Sequence, residues 1–98
     1  MNSKDRTRQM LEAALQIAQR PQSNYLKVTR DHIAEQCGVS VALVSLHLGT
    51  VQAMRRAIMR HAVAVRCAPV VAQGLCSRDR WASRADAALR TAASEVIA

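Results

Sequence analysis

The sequence predicts an all-α fold on three observations. Half of the 98 residues are hydrophobic, yet Phe is absent and the aromatics are one Trp and one Tyr, so the core must come from Ala, Val, Leu, Ile and Met. That alphabet favours packed helices. Apolar residues recur at steps of three and four in several segments, and no stretch of any length alternates as a half-buried strand does. Capping and stopping residues fall between those segments. A chain of this length is expected to form one compact domain, with a helix-turn-helix head over residues 1–66 and a C-terminal helical segment over 67–98.

About five helices are expected. Met10, Ala14 and Ile17, with Leu11, Leu15 and Ala18, form a stripe that places the first helix at about Lys4 to Gln19. Pro21 with Gln22, Ser23 and Asn24 ends it, and Tyr25 to Val28 reads as an irregular or extended connector. Thr29 offers an N-cap oxygen and Asp31 complements the dipole of a second helix over about Arg30 to Cys37. Gly38 stands where a left-handed residue is wanted, and Ser40 caps a third helix over about Val41 to Leu48. Gly49 stops that helix and Thr50 caps a fourth, whose apolar face is Val51, Met54, Ile58, Ala62 and Val65. Pro69 is expected to end or kink it, with one short turn over Val70 to Leu75 before Gly74 and Ser77 punctuate. The fifth helix, about Asp79 to Ile97, carries the stripe Trp81, Ala85, Ala88, Leu89, Ala92 and Val96.

Composition narrows the partner and the compartment. Fourteen Lys and Arg against seven Asp and Glu give +7, which calls for a partner of negative charge. Only Lys4 and Lys27 are lysine, and arginine suits bidentate phosphate and guanine contacts. Two aromatics disfavour modules that stack bases on aromatic platforms. Cys37, Cys67 and Cys76 are odd in number and lack a CxxC pair, so neither a disulfide framework nor a zinc ribbon is expected and a reducing bacterial cytoplasm is the default. The most apolar stretch, Ala62 to Ala72, is short and broken by Arg66 and Pro69, which predicts no membrane span and no signal peptide. His32 and His61 read as surface and interface residues rather than metal ligands, and no metal and no cofactor are expected. The sequence has no Gly-rich phosphate loop and no Ser elbow, and enzyme chemistry is not expected.

Residues Thr29 to Leu48, TRDHIAEQCGVSVALVSLHL, carry the functional signal. A helix-turn-helix needs a small residue where its helices cross, a turn residue tolerant of positive φ, and apolar residues locking the second helix down. Ala34, Gly38 and the set Ile33, Cys37, Val39, Val44 and Leu48 occupy those places. With Val44 and Leu48 inward, Ala42, Ser45 and Leu46 point out, and Ser40 and Val41 join them as candidate base contacts. Lys27, Arg30, Arg55 and Arg56 surround that helix as candidate phosphate contacts, and His47 either touches phosphate or packs at the helix end.

The segment from about Arg6 to Ala64 resembles the N-terminal DNA-binding domain of TetR-type repressors, on Thr29, Ala34, Gly38-Val39-Ser40 and His47. It departs from that pattern at Ser45, Leu48 and Val51, where the family has a Tyr, a Phe-like residue and a Lys. The resemblance implies that the third helix enters the major groove and that Thr29, Thr50 and nearby bases hold phosphates. It also implies a minimal repressor of plasmid or phage type, because only 34 residues follow Ala64, too few for the family's ligand-binding domain. No small-molecule ligand is then expected. The expected function is a sequence-specific regulator of transcription that binds palindromic double-stranded DNA as a homodimer. Its dimer interface would be Trp81, Ala85, Ala88, Leu89, Ala92 and Val96, which the first four helices leave without partners. The competing expectation is a protein-binding adaptor or anti-activator of the same fold, docking through Val41 and Leu46 without touching DNA.

Overall fold

The computed structural model describes residues 2–97. Seven α-helices and one 3-10 turn follow one another among them, and no strand is present. The helices are α1 (Ser3–Ala18), α2 (Arg30–Cys37), α3 (Val41–Leu48), α4 (Val51–Ala64), α5 (Ala68–Cys76), α6 (Arg80–Ser83) and α7 (Ala87–Ile97). The radius of gyration, 13.0 Å, matches the roughly 13 Å of a close-packed chain of about 100 residues.

Side-chain caps start the helices of the first half. The Asn2 side chain accepts from the Asp5 N–H at 2.9 Å to open α1. Thr29 accepts from the His32 N–H at 3.1 Å, and the His32 ring accepts in return from the Thr29 N–H, a reciprocal box that closes two free donors. Ser40 and Thr50 cap α3 and α4 in the same way, accepting from Leu43 and Ala53. Gly38 sits at φ +68°, ψ +37°, the left-handed conformation a residue with a Cβ avoids. Gly49 is more restricted still, at φ +77°, ψ −145°, which is glycine territory alone.

The second half departs from the expected pattern in three ways. Pro69 neither ends nor kinks α4, because the chain has already turned at Val65–Cys67 and Pro69 lies in the first turn of α5, where a missing N–H costs nothing. The short turn expected over Val70 to Leu75 is therefore a nine-residue helix. Gly74 does not punctuate; it is buried within α5, against Met59 of α4 and Ala82 of α6. The single helix expected over Asp79 to Ile97 is two helices. The Asp79 carboxylate accepts from the Trp81 and Ala82 N–H groups to start α6, and Asp86 accepts from the Leu89 N–H at 2.8 Å to start α7. Each acid captures the first donors of a new helix, so the chain turns between Arg84 and Asp86 without any Gly or Pro.

One continuous core runs from Met10 to Ala93. Met10, Ile17, Ile33, Val44, Met54, Ile58, Met59, Val70 and Val71 are its largest fully buried side chains. α1 packs on α2, α3 and α4, and α5 packs on α4, α6 and α7, with α4 also against α6. Of the expected α4 face, Met54, Ile58 and Ala62 are buried, whereas Val51 and Val65 are exposed because they stand at the first residue and just past the last. Met59 replaces them in the core.

The connector expected between Tyr25 and Val28 is instead a 3-10 turn, Tyr25–Lys27, and it clasps the two halves together. The Tyr25 N–H donates to the Gln73 side-chain oxygen at 2.8 Å, and Gln73 Nε2 donates to the Ala18 carbonyl at 3.0 Å. The Tyr25 hydroxyl lies 2.6 Å from Ser77 Oγ and donates to Asp79 Oδ2 at 3.4 Å. Burial pushes the Tyr25 phenol above its usual value, so it stays protonated and available as a donor. Two surface contacts close the same seam further along: the Arg60 guanidinium stands 4.7 Å over the Trp81 ring, and Arg66 pairs with Asp86 at 2.6 Å.

Candidate nucleic-acid interface

α2 and α3 form a helix-turn-helix around Gly38. Ile33 and Ala34 of α2 and Val44 and Leu48 of α3 are buried, while Cys37 and Val39 are half-buried against the core. Burial pushes the Cys37 thiol up, which makes it a small apolar side chain rather than a nucleophile. The face of α3 turned to solvent carries Val41 (40% exposed), Ala42 and Leu46 (78% exposed), with the Ser40 cap at its leading edge. Ser45 lies at the edge of that face, half-buried.

The expected phosphate contacts divide into four kinds. Thr29 and Thr50 use their hydroxyl oxygens as caps, and each keeps its own O–H to donate outward. Arg56 is exposed and makes no hydrogen bond to the described residues, and Lys27 is exposed with its ammonium on the Gln22 carbonyl at 3.1 Å. Arg55 reaches back to the protein through one of its guanidinium nitrogens. Its Nη2 donates to the Leu26 carbonyl at 3.2 Å and its Nε is buried without a partner, so it ties α4 to the 3-10 turn. His47 faces inward as well: its Nδ1 lies 3.1 Å from Thr7 Oγ1, which packs the end of α3 against α1. On the far side of Thr7, Ser3, Lys4, Arg8 and Leu11 of α1 line with His61 of α4 a cleft of about 400 Å³.

Arg30 behaves differently from the other cations. It is the first residue of α2, and its Nη1 donates to Ser45 Oγ at 3.2 Å and to the Gly49 carbonyl at 3.4 Å, bridging the start of one helix to the outer edge of the other. Sequence spacing gives no sign of this contact, since fifteen residues separate the pair.

The expected dimer stripe is redistributed by the break before α7. Ala85 and Leu89 are buried within the chain and cannot serve a partner, and Trp81 is half-buried under Arg60. The premise that this stripe lacks partners is overturned by α5, which packs along α7. Ala88 and Val96 remain exposed and Ala92 is half-buried. Val96 and Ile97 border a groove of about 360 Å³ that runs past Pro69 and Cys76 to Arg20.

Among the described residues no group of His, Cys, Asp and Glu is placed to hold a metal, and no helix is long and apolar enough to cross a membrane. Comparison with family models, with curated proteins and with solved structures finds no match to this chain.

Proposed function

We propose that the protein is a sequence-specific DNA-binding regulator of transcription, a TetR-like homodimeric repressor of the bacterial cytoplasm, that lays α3 in the major groove of a palindromic operator. The observation that carries the reading is the exposed face of α3, Ser40, Val41, Ala42 and Leu46, with the Arg30 guanidinium held at its edge on Ser45, and with Lys27, Arg30 and Arg56 in no ion pair among the described residues. The small, smooth surface matches a groove floor, and the Thr29 and Thr50 hydroxyls at two helix starts suit phosphate oxygens on either side. Apolar contact with thymine methyls is the main direct readout open to Val41, Ala42 and Leu46. Two copies of α3 would lie about 34 Å apart on one face of the duplex. The second copy would be held through the apolar side chains still exposed near the C-terminal end, Val96 and Ile97.

Titration of duplex DNA across a salt series tests this. With Lys27 and Arg56 of each subunit on phosphates, log affinity of the dimer falls against log salt with a slope near −4. A slope near zero, or no binding at low salt, removes the DNA reading. It would leave the adaptor reading, favoured by one observation: Leu46 and Val41 both expose apolar surface on α3. In that case a partner protein would dock on the same face and Leu46→Asp would abolish its binding.

A further inference from the structure

The outward face of α3 has no side chain that reads a purine by two hydrogen bonds: Val41, Ala42, Ser45 and Leu46 include no Arg, Lys, Asn or Gln. A helix so equipped distinguishes thymine from other bases by its methyl and does little else. The missing donor comes from outside the helix. Of the chain's twelve arginines, Arg30 is the one whose guanidinium reaches a side chain of α3, at the Ser45 hydroxyl. The other arginines with recorded contacts are engaged elsewhere: Arg8 on Asp5, Arg20 on Gln36, Arg55 on the Leu26 carbonyl, Arg60 on Trp81 and Arg66 on Asp86.

We propose that Arg30 is the guanine reader of this protein, an inference that rests on the DNA-binding reading above. Both of its partners, the Ser45 hydroxyl and the Gly49 carbonyl, are neutral, and no carboxylate among the described residues pairs with it. Both contacts use Nη1, so Nη2 and Nε remain free to donate. The two contacts hold the guanidinium beside the groove-facing surface before DNA arrives, which lowers the ordering cost of using it. A guanidinium presents two parallel donors that match O6 and N7 of guanine in the major groove, the commonest specific contact between protein and DNA. Ser45, rather than reading a base itself, orients the arginine.

The test is selection from randomised duplexes with the full chain, followed by titration of the selected DNA. Wild-type protein is expected to enrich a half-site with one fixed G·C pair beside thymine positions. Replacing that guanine by 7-deazaguanine, which lacks the N7 acceptor, should weaken wild-type binding by roughly 5- to 100-fold. Arg30→Ala should lose the preference at that one position, keep the thymine preferences, and show no further loss on 7-deazaguanine DNA. Three results overturn the proposal: a selected site with no fixed guanine, indifference of the wild type to 7-deazaguanine, or an Arg30→Ala protein weakened equally on every sequence, which marks a phosphate contact. Because the 7-deazaguanine measurement uses unaltered protein, it decides the matter even where Arg30→Ala folds poorly. Failure of the wild type to bind any duplex at low salt is a different outcome: it overturns the DNA reading, and the role of Arg30 with it.

Discussion

A single methyl group at Gly74 sets two effects of known sign against each other. In the middle of a helix, Gly→Ala favours the folded state by about 1 kcal/mol through backbone entropy. A Cβ at Gly74, however, would stand 2.6 Å from Ala82 Cβ, 2.6 Å from Met59 Cε and 2.9 Å from Met59 Sδ, against a comfortable carbon separation of roughly 3.5–4.0 Å. Met59 is flexible but fully buried, so its thioether has nowhere to retreat. Ala82 Cβ is fixed to the backbone of α6, and that helix must move by about 1 Å. Overpacking costs about 1–3 kcal/mol, and two contacts at 2.6 Å, one of them to a backbone-fixed Cβ, belong in the upper half of that range, so after the propensity gain the net loss should be about 1–2 kcal/mol. Urea unfolding followed by circular dichroism measures it, with the slope of the transition unchanged. Ala82→Gly in the same chain removes the nearest neighbour, so the two substitutions should be non-additive by about 1 kcal/mol. A Gly74→Ala protein as stable as the wild type, or strictly additive effects in the pair, would refute the reasoning.

Leu89→Asp should unfold the chain at a cost on the order of 3–5 kcal/mol, because Leu89 is 2% exposed within one subunit; Val96→Asp should leave the fold intact and yield a monomer in sedimentation. Should a folded Leu89→Asp protein be recovered, the packing of α7 on α5 is wrong. Leu46→Ala is expected to weaken operator binding by about 1–2 kcal/mol while non-specific binding and melting temperature stay the same; equal losses on operator and random DNA would speak against readout by this side chain. Acid stability should show two features. The Arg66 guanidinium, with the Leu89 N–H, holds the Asp86 carboxyl down to about 2 from 3.8, so its contribution is complete above pH 3.8 and is lost as pH falls through about 2; Asp86→Asn should remove that part of the acid limb. Burial pushes His61 below 6.5, so the unfolded chain takes up the proton first and stability declines as pH falls below about 6.5, a slope that His61→Gln should flatten in pH-dependent melting.

The first half of the fold is legible in the sequence because its boundaries are local. Thr29, Ser40 and Thr50 cap within three residues of themselves, and Gly38 and Gly49 take conformations that only their own side chain, or lack of one, decides. α2 and α3 accordingly run over the expected residues. The second half is decided by contacts across the chain. Asp86 as a helix start competes with Asp86 as an ordinary helical residue, and the periodic stripe is the same in both cases; what tips it is the packing of Ala82, Leu89 and Ala93 into one core. Gly74 has the composition of a breaker and the function of a spacer, which only the approach of α4 and α6 reveals. At the candidate interface, the outward residues of α3 follow from helical periodicity alone. The retreat of Arg55 onto Leu26 and the reach of Arg30 to Ser45 do not, since a long side chain with several rotamers goes where its partner is.

The Tyr25 clasp bears on how such a pair of helices is inherited. Helix-turn-helix units are often treated as cassettes, moved between proteins with their specificity attached. Here the turn that leads into Thr29 is fastened to Gln73, Ser77 and Asp79, all of them beyond residue 66. Lifted out alone, residues 1–66 would leave the Tyr25 ring and the ends of α1 and α4 facing water. The head therefore travels only with its tail, and any change in the tail that loosens Gln73 or Asp79 shifts the entrance to α2 as directly as a substitution in α2 itself.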